Sequence, residues 1–125
     1  MSKKTDLKNV NDSLIEAIKS LPNPMFDSKH NLEIYIEGNA RSNQTRVEHI
    51  VQKRHDLKVR DIESVFEGIK KYYLYVKDPV YKDTFNYYIV RKGQDKGFIK
   101  VSIQIDHRNP KRAWIKTIYI TYRIK

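Results

Sequence analysis

Hydrophobic positions along this chain mix helical and alternating spacings up to about residue 71 and keep a period of two from there to the end. Leu14, Ile15, Ile18 and Leu21 recur at helical spacings and predict a helix over 12–21. Asp12 or Ser13 can cap it, and Pro22-Asn23-Pro24 ends it, because proline cannot continue the hydrogen-bond ladder. Leu32, Ile34 and Ile36 alternate with polar neighbours, which predicts a strand over 32–37, closed by Gly38-Asn39. Val47, Ile50 and Val51 mark a helix over 43–54. Ile62, Val65, Phe66 and Ile69 mark another over 58–71, with Asp61 and Glu63 favouring its first turn. Beyond Lys71 the period is two, giving strands over 72–77, 84–92, 98–105 and 112–124. Asp78-Pro79, the stretch 92–97 with its two glycines, and Asn109-Pro110 supply the turns. Consecutive strands with short connections favour an antiparallel meander, so the expected class is α+β with helices on one face of the sheet.

The last strand carries two unlike faces. Trp114, Ile118, Ile120, Tyr122 and Ile124 fall on one side, with Lys116 as the only intruder, and that side belongs in a core. Ile115, Thr117, Tyr119, Thr121 and Arg123 fall on the other. If Ile99, Val101, Ile103 and Ile105 face the helices, then Lys100, Ser102 and Gln104 face outward and lie near Thr117, Tyr119, Thr121 and Arg123 once the last two strands pair. Over 84–92 two registers stay open. Phe85, Tyr87, Ile89 and Arg91 share one face, Asn86, Tyr88, Val90 and Lys92 the other, and either can be the polar one. Cations, hydroxyls and tyrosines on one sheet face suit a bound nucleotide, with phosphates on the cations and bases on the rings. A wet face is also what an antiparallel sheet has by default.

Charge favours the first of these readings. Residues 1–40 hold five Lys/Arg against six Asp/Glu, a net of −1, whereas residues 41–125 hold twenty against nine, a net of +11. The excess attracts polyanions and points to RNA or DNA as the partner. The 125 residues suffice for a single core, and the absence of cysteine excludes a disulfide framework, a thiolate zinc site and a cysteine nucleophile. No apolar run follows Met1-Ser2-Lys3-Lys4, and no window approaches the roughly 18 apolar residues of a membrane span. The expectation is a cytoplasmic protein without a membrane partner, a secreted or delivered form being left open.

The histidines narrow the chemistry. His30 and His107 fall in loops and read as solvated. His49 lies opposite the Val47/Ile50/Val51 stripe and faces solvent or a cleft. His55 is six residues further on, so the two do not share a helical face. No acidic pair accompanies them at ligand spacing, and the chain has no glycine-rich phosphate loop, GxSxG, HExxH or paired carboxylate set, so neither a metal nor a cofactor is expected. A histidine near cations and hydroxyls is the minimum set for metal-free RNA cleavage: one group takes the 2′-hydroxyl proton, a cation stabilises the phosphorane, and an acid protonates the leaving 5′-oxygen. A surface histidine is the plainer reading of the spacing alone.

The ordered motifs Glu48-His49-Ile50 with His55-Asp56, Val59–Phe66, a tyrosine-rich strand near Asp78, Tyr87–Arg91, Ile99–Ile103 and Ile115–Tyr119 carry a further likeness. Over about residues 32–125 the chain resembles the phage-type branch of the barnase–EndoU–colicin–RelE superfamily of metal-independent ribonucleases. The resemblance implies a barnase/RelE-like α+β domain over 31–125, with helices on a four- to five-stranded antiparallel sheet, preceded by an N-terminal helix and linker over 1–30. It implies His49 as general acid or base and His55 as a second catalytic group or an anchor for the helix end. Thr117 and Tyr119 would position or protonate phosphate oxygens, and Arg91 and Lys100 would bind phosphate, with Tyr88 and Arg123 along the RNA path. Such domains occur in toxins, phage and conjugative elements, which makes an acidic immunity or antitoxin protein the expected protein partner. The alternative is a basic RNA- or DNA-binding module without catalysis.

Overall fold

The computed structural model describes residues 12–36, 50 and 56–124, and beyond residue 71 every regular element described is a strand. A helix α1 over 12–19 is followed by strands β1 (Met25–Asp27) and β2 (Leu32–Tyr35), then helices α2 (Val59–Glu63) and α3 (Val65–Lys70). Four strands complete the chain: β3 (Leu74–Lys77), β4 (Thr84–Val90), β5 (Phe98–Asp106) and β6 (Asn109–Thr121). The helix expected over 58–71 is therefore interrupted at Ser64, whose hydroxyl donates to the Arg60 carbonyl at 2.7 Å and competes with the helical ladder. Of the helix expected over 43–54 only Ile50 is described, helical and buried; His49 and His55 lie outside the described residues.

The sheet differs from the expected four to five antiparallel strands. It has six, in the order β1-β2-β6-β5-β4-β3. The meander β3–β6 is antiparallel as the short turns require, but β2 lies parallel to β6, with Ile34 beside Ala113, and β1 pairs antiparallel with β2. A three-residue strand such as β1 is too short to show a period, and a parallel neighbour comes from far away in sequence. The sheet is also strongly curled. Asp27 on the β1 edge accepts a 2.6 Å hydrogen bond from Tyr87 on β4, and α3 packs on both β1 and β4.

The core fills the concave side. Leu14 and Ile18 of α1 and Ile62, Val65 and Ile69 of α2 and α3 meet Ile34, Ile99, Val101, Ile103, Ile115 and Ile118 from the strands. Gly68 lets α3 approach this closely, since a Cβ there would stand 2.5 Å from the Ile89 side chain. Residues 12–27 thus contribute to the same core as the sheet.

Register corrects the reading of the last strand. Thr117 lies opposite Ser102 but Ile115 opposite Ile103, so β6 holds one extra residue, Lys116, in a β-bulge. Inward positions are odd before the bulge (Ala113, Ile115) and even after it (Ile118, Ile120). Ile115 is buried in the core, while Trp114 sits on the other face, edge-on to Tyr35 at 4.9 Å. The strand ends at Thr121, which leaves Tyr122 and Ile124 exposed. The Asn109-Pro110 pair is not the turn either; the turn is at 107–108 and both residues begin β6.

Candidate functional site

Three strands build a polar floor on the convex, open face of the sheet. In register, Tyr88, Lys100 and Tyr119 form one row across β4, β5 and β6, and Asn86, Ser102 and Thr117 form the next. The second row is held from below. The Ser102 hydroxyl donates to Asn86 Oδ1 at 2.6 Å, and Asn86 Nδ2 donates to Asp78 Oδ2 at 3.0 Å. Asp78 also shapes the β3–β4 loop, its Oδ1 accepting the backbone amides of Val80 and Tyr81, both at 2.9 Å. The Asn86 hydrogen bond and then the Tyr81 amide hold the Asp78 carboxyl down at about 2, so it is an anion at any ordinary pH.

A cleft of about 560 Å³ opens over this floor. Lys100, Lys116, Thr117, Tyr119 and Tyr81 line it, with Asp78, Thr84 and Ser102 at its base. Lys116 reaches it because the bulge turns its side chain outward; its Nζ lies 3.3 Å from the Thr84 hydroxyl and 4.6 Å from the centre of the Tyr81 ring. Lys100 lies between two rings, 5.2 Å from the centre of Tyr119 and 5.7 Å from that of Tyr88. Burial opposes its charge, but a hydrogen bond with Tyr119 and the nearby Tyr88 and Asp78 outweigh this and raise its pKa. Two lysines, several hydroxyls and two aromatic walls around a space of this size can hold a phosphate and the groups attached to it.

The structure brings together Lys100, Thr117 and Tyr119 of the residues singled out from sequence. Tyr88 belongs to the same row, but at 1% exposure it supports Lys100 rather than meeting a ligand with its face. Arg123 lies beyond the end of β6, exposed, its amide 3.4 Å from the Thr121 hydroxyl. Arg91 falls on the helix side. Its Nε and Nη2 bind both carboxylate oxygens of Asp61 at 3.0 and 2.9 Å, and Nη1 donates to the Lys96 carbonyl at 2.9 Å. Lys116, Asp78, Tyr81 and Thr84 complete the cleft and were not singled out from sequence, while Asn86 beneath it lay on one of the two faces left open for β4. The signal for Lys116 was its misfit on an apolar face; Asp78 was visible only as a turn residue.

A larger cleft of about 850 Å³ on the helix side, lined by Lys58, Val59, Arg91, Asp95 and Tyr122 among others, is less suited to an anion. Two of its cations are committed, Arg91 to Asp61 and Lys58 to Asp95, and Asp56 and Asp95 place two carboxylates on its lining. Nor is His30 simply solvated. Its Nδ1 lies 2.8 Å from buried Asp27 and 3.0 Å from the Tyr72 hydroxyl, and its ring stacks on Tyr75 at 4.0 Å. His107 lies 3.2 Å from Asp83. Among the described residues no three His, Cys, Asp or Glu side chains gather at metal-binding distance, and no described helix is long and apolar enough to cross a membrane. No protein family, curated protein or solved structure matches this chain.

Proposed function

We propose that the open face binds RNA, seating a backbone phosphate over Lys100 and Lys116 and the adjoining nucleoside against the tyrosines. The observation that carries this reading is the bulge at Lys116, which adds a second cation to a cleft already holding Lys100, against the single carboxylate of Asp78. A bulge costs ladder hydrogen bonds and is a device for re-aiming a side chain. The net charge of +10 supplies the long-range attraction. Anisotropy titration of a fluorescent RNA oligomer tests it: affinity should fall with salt and with Lys100→Ala or Lys116→Ala, and unchanged affinity in both variants would remove the cleft from consideration.

Cleavage of the bound strand is the reading that the Lys100–Tyr119 pair favours, since an ammonium and a phenol beside one phosphate can stabilise and protonate a phosphorane. Asp78 is ionised and cannot be the acid, and a carboxylate held that low is a weak base, so with Tyr119 as proton donor the group still required is one that takes the 2′-hydroxyl proton. His49 is our candidate, in the metal-free transesterification expected of a ribonuclease toxin or mobile-element effector. The discriminating experiment is RNA cleavage in EDTA by the unaltered protein, His49→Ala and Tyr119→Phe. Salt-sensitive binding without turnover would select the non-catalytic module instead.

A further inference from the structure

A second, uncharged subsite adjoins the cationic cleft. On β5 Phe98 shares the open face with Lys100, two residues or roughly 6.7 Å along the strand. Its ring lies edge-on to Tyr88 at 6.3 Å, the same ring that carries the Lys100 ammonium, and tilted against Tyr73 at 5.4 Å. Tyr73 is fixed just ahead of β3 by its amide, which donates to the Tyr88 carbonyl at 2.8 Å, yet 64% of it is exposed. Val90, opposite Phe98 in register, is 58% exposed and flanks the pair.

Single exposed apolar side chains need no explanation, but here two, Tyr73 and Val90, adjoin the half-buried ring of Phe98 on a rigid sheet, next to a cleft with excess positive charge. The concave side already buries the core, so this patch is not a remnant of core packing. An aromatic shelf continuous with a phosphate site has the two properties that a nucleotide recognises. We infer that Tyr73 and Phe98 form a stacking platform for an unpaired base of the strand whose phosphate sits over Lys100. The substrate class is then single-stranded RNA, because a base within a duplex has both faces already occupied. This inference rests on the RNA-binding reading of the cleft.

The test uses three probes of equal length: a single-stranded RNA oligomer, the same oligomer with abasic sites, and its duplex. Tyr73→Ala should weaken the base-bearing single strand by about tenfold, within the range for loss of one stacked base. It should leave the abasic oligomer within twofold, and Tyr73→Phe should keep the full affinity. Lys100→Ala should weaken both single strands. An oligomer with 2-aminopurine at successive positions should show quenching at one of them, abolished in Tyr73→Ala. Equal losses on abasic and base-bearing strands, no loss on either, or a duplex that binds as tightly as the single strand would overturn the platform while leaving the phosphate cleft standing. Failure of the unaltered protein to bind any probe at low salt would overturn the RNA reading and the platform with it.

Discussion

Tyr87 and Tyr88 are neighbours on β4, both buried, and they look out on opposite worlds. On the Tyr87 side the buried charges Asp27, Asp61 and Arg91 each have a partner. The Tyr87 hydroxyl donates to Asp27, and burial together with that bond pushes its pKa far up. Asp27 also faces His30, and two residues beyond Ile89 the Arg91 guanidinium is enclosed by Asp61. On the Tyr88 side two lysines face one carboxylate across an open cleft. The residue types are alike; the balance of charge and the access of water differ. Cations that are matched and buried hold the curled sheet closed, and cations in excess over an open floor remain available to something else.

That contrast can be broken most forcefully on the closed side. Asp61→Ala would leave the Arg91 guanidinium buried without its partner, at a cost of about 3–5 kcal/mol, which lowers Tm by more than about 10 °C in calorimetry. The double variant Asp61→Leu with Arg91→Met should recover most of the loss. Tyr87→Phe comes next, about 1–3 kcal/mol, because Asp27 loses a 2.6 Å donor in a buried site. Neither single change should move RNA affinity by more than about twofold at temperatures where circular dichroism shows the fold intact, since both residues act on the other face. A large loss of affinity there would mean that the faces are coupled and that the contrast is wrong.

How much of this was legible depended on whether one face of each strand was wet. On β5, Ile99, Val101 and Ile103 alternate with Lys100, Ser102 and Gln104, and the outward set lies where periodicity puts it. β4 is buried on both faces, so Asn86-Tyr87-Tyr88-Ile89 carries no alternation, and the side taken by Arg91 was undecidable without the position of Asp61. The bulge left a trace, since Lys116 among apolar residues and Ile115 among polar ones are what one extra residue does to parity. The partnership of β2 with β6 joins residues about eighty apart, and no local pattern encodes it. Thr117, Tyr119 and Lys100 could therefore be placed on one face from sequence, while the Asp78–Asn86–Ser102 chain of hydrogen bonds needed the strands in register.

On the open side the expected effects reverse. Lys100→Ala should change Tm by less than about 2 °C, because a partly exposed lysine adds little to stability. It should weaken RNA binding by about fivefold at moderate salt and lower the slope of log affinity against log salt by about one, as expected when the protein neutralises one phosphate fewer. Lys116→Ala should do the same without shifting the strand register, which amide exchange along β6 would report. Weaker binding with an unchanged salt slope would show that the lysines serve the floor rather than a phosphate.

The smallest effect concerns Asp78, the one place where the open face uses the logic of the closed one. Its carboxyl is held at about 2 against an ordinary value of 3.8, so the folded state binds its proton less readily than the unfolded chain does. The stabilisation is therefore complete above about pH 4 and is lost as pH falls through about 2. Asp78→Asn should be less stable than the unaltered protein by about 1 kcal/mol at neutral pH, and urea titrations should show that gap closing toward pH 2.5. The substitution also removes the only described carboxylate of the cleft, which favours phosphate, while loosening the Asn86–Ser102 floor that presents Thr117. RNA affinity near neutrality then reports which contribution is larger. If affinity rises, Asp78 tempers the charge of the two lysines; if it falls, the floor's geometry matters more than the charge. A stability gap independent of pH would mean that the ionised carboxylate is not what secures the floor.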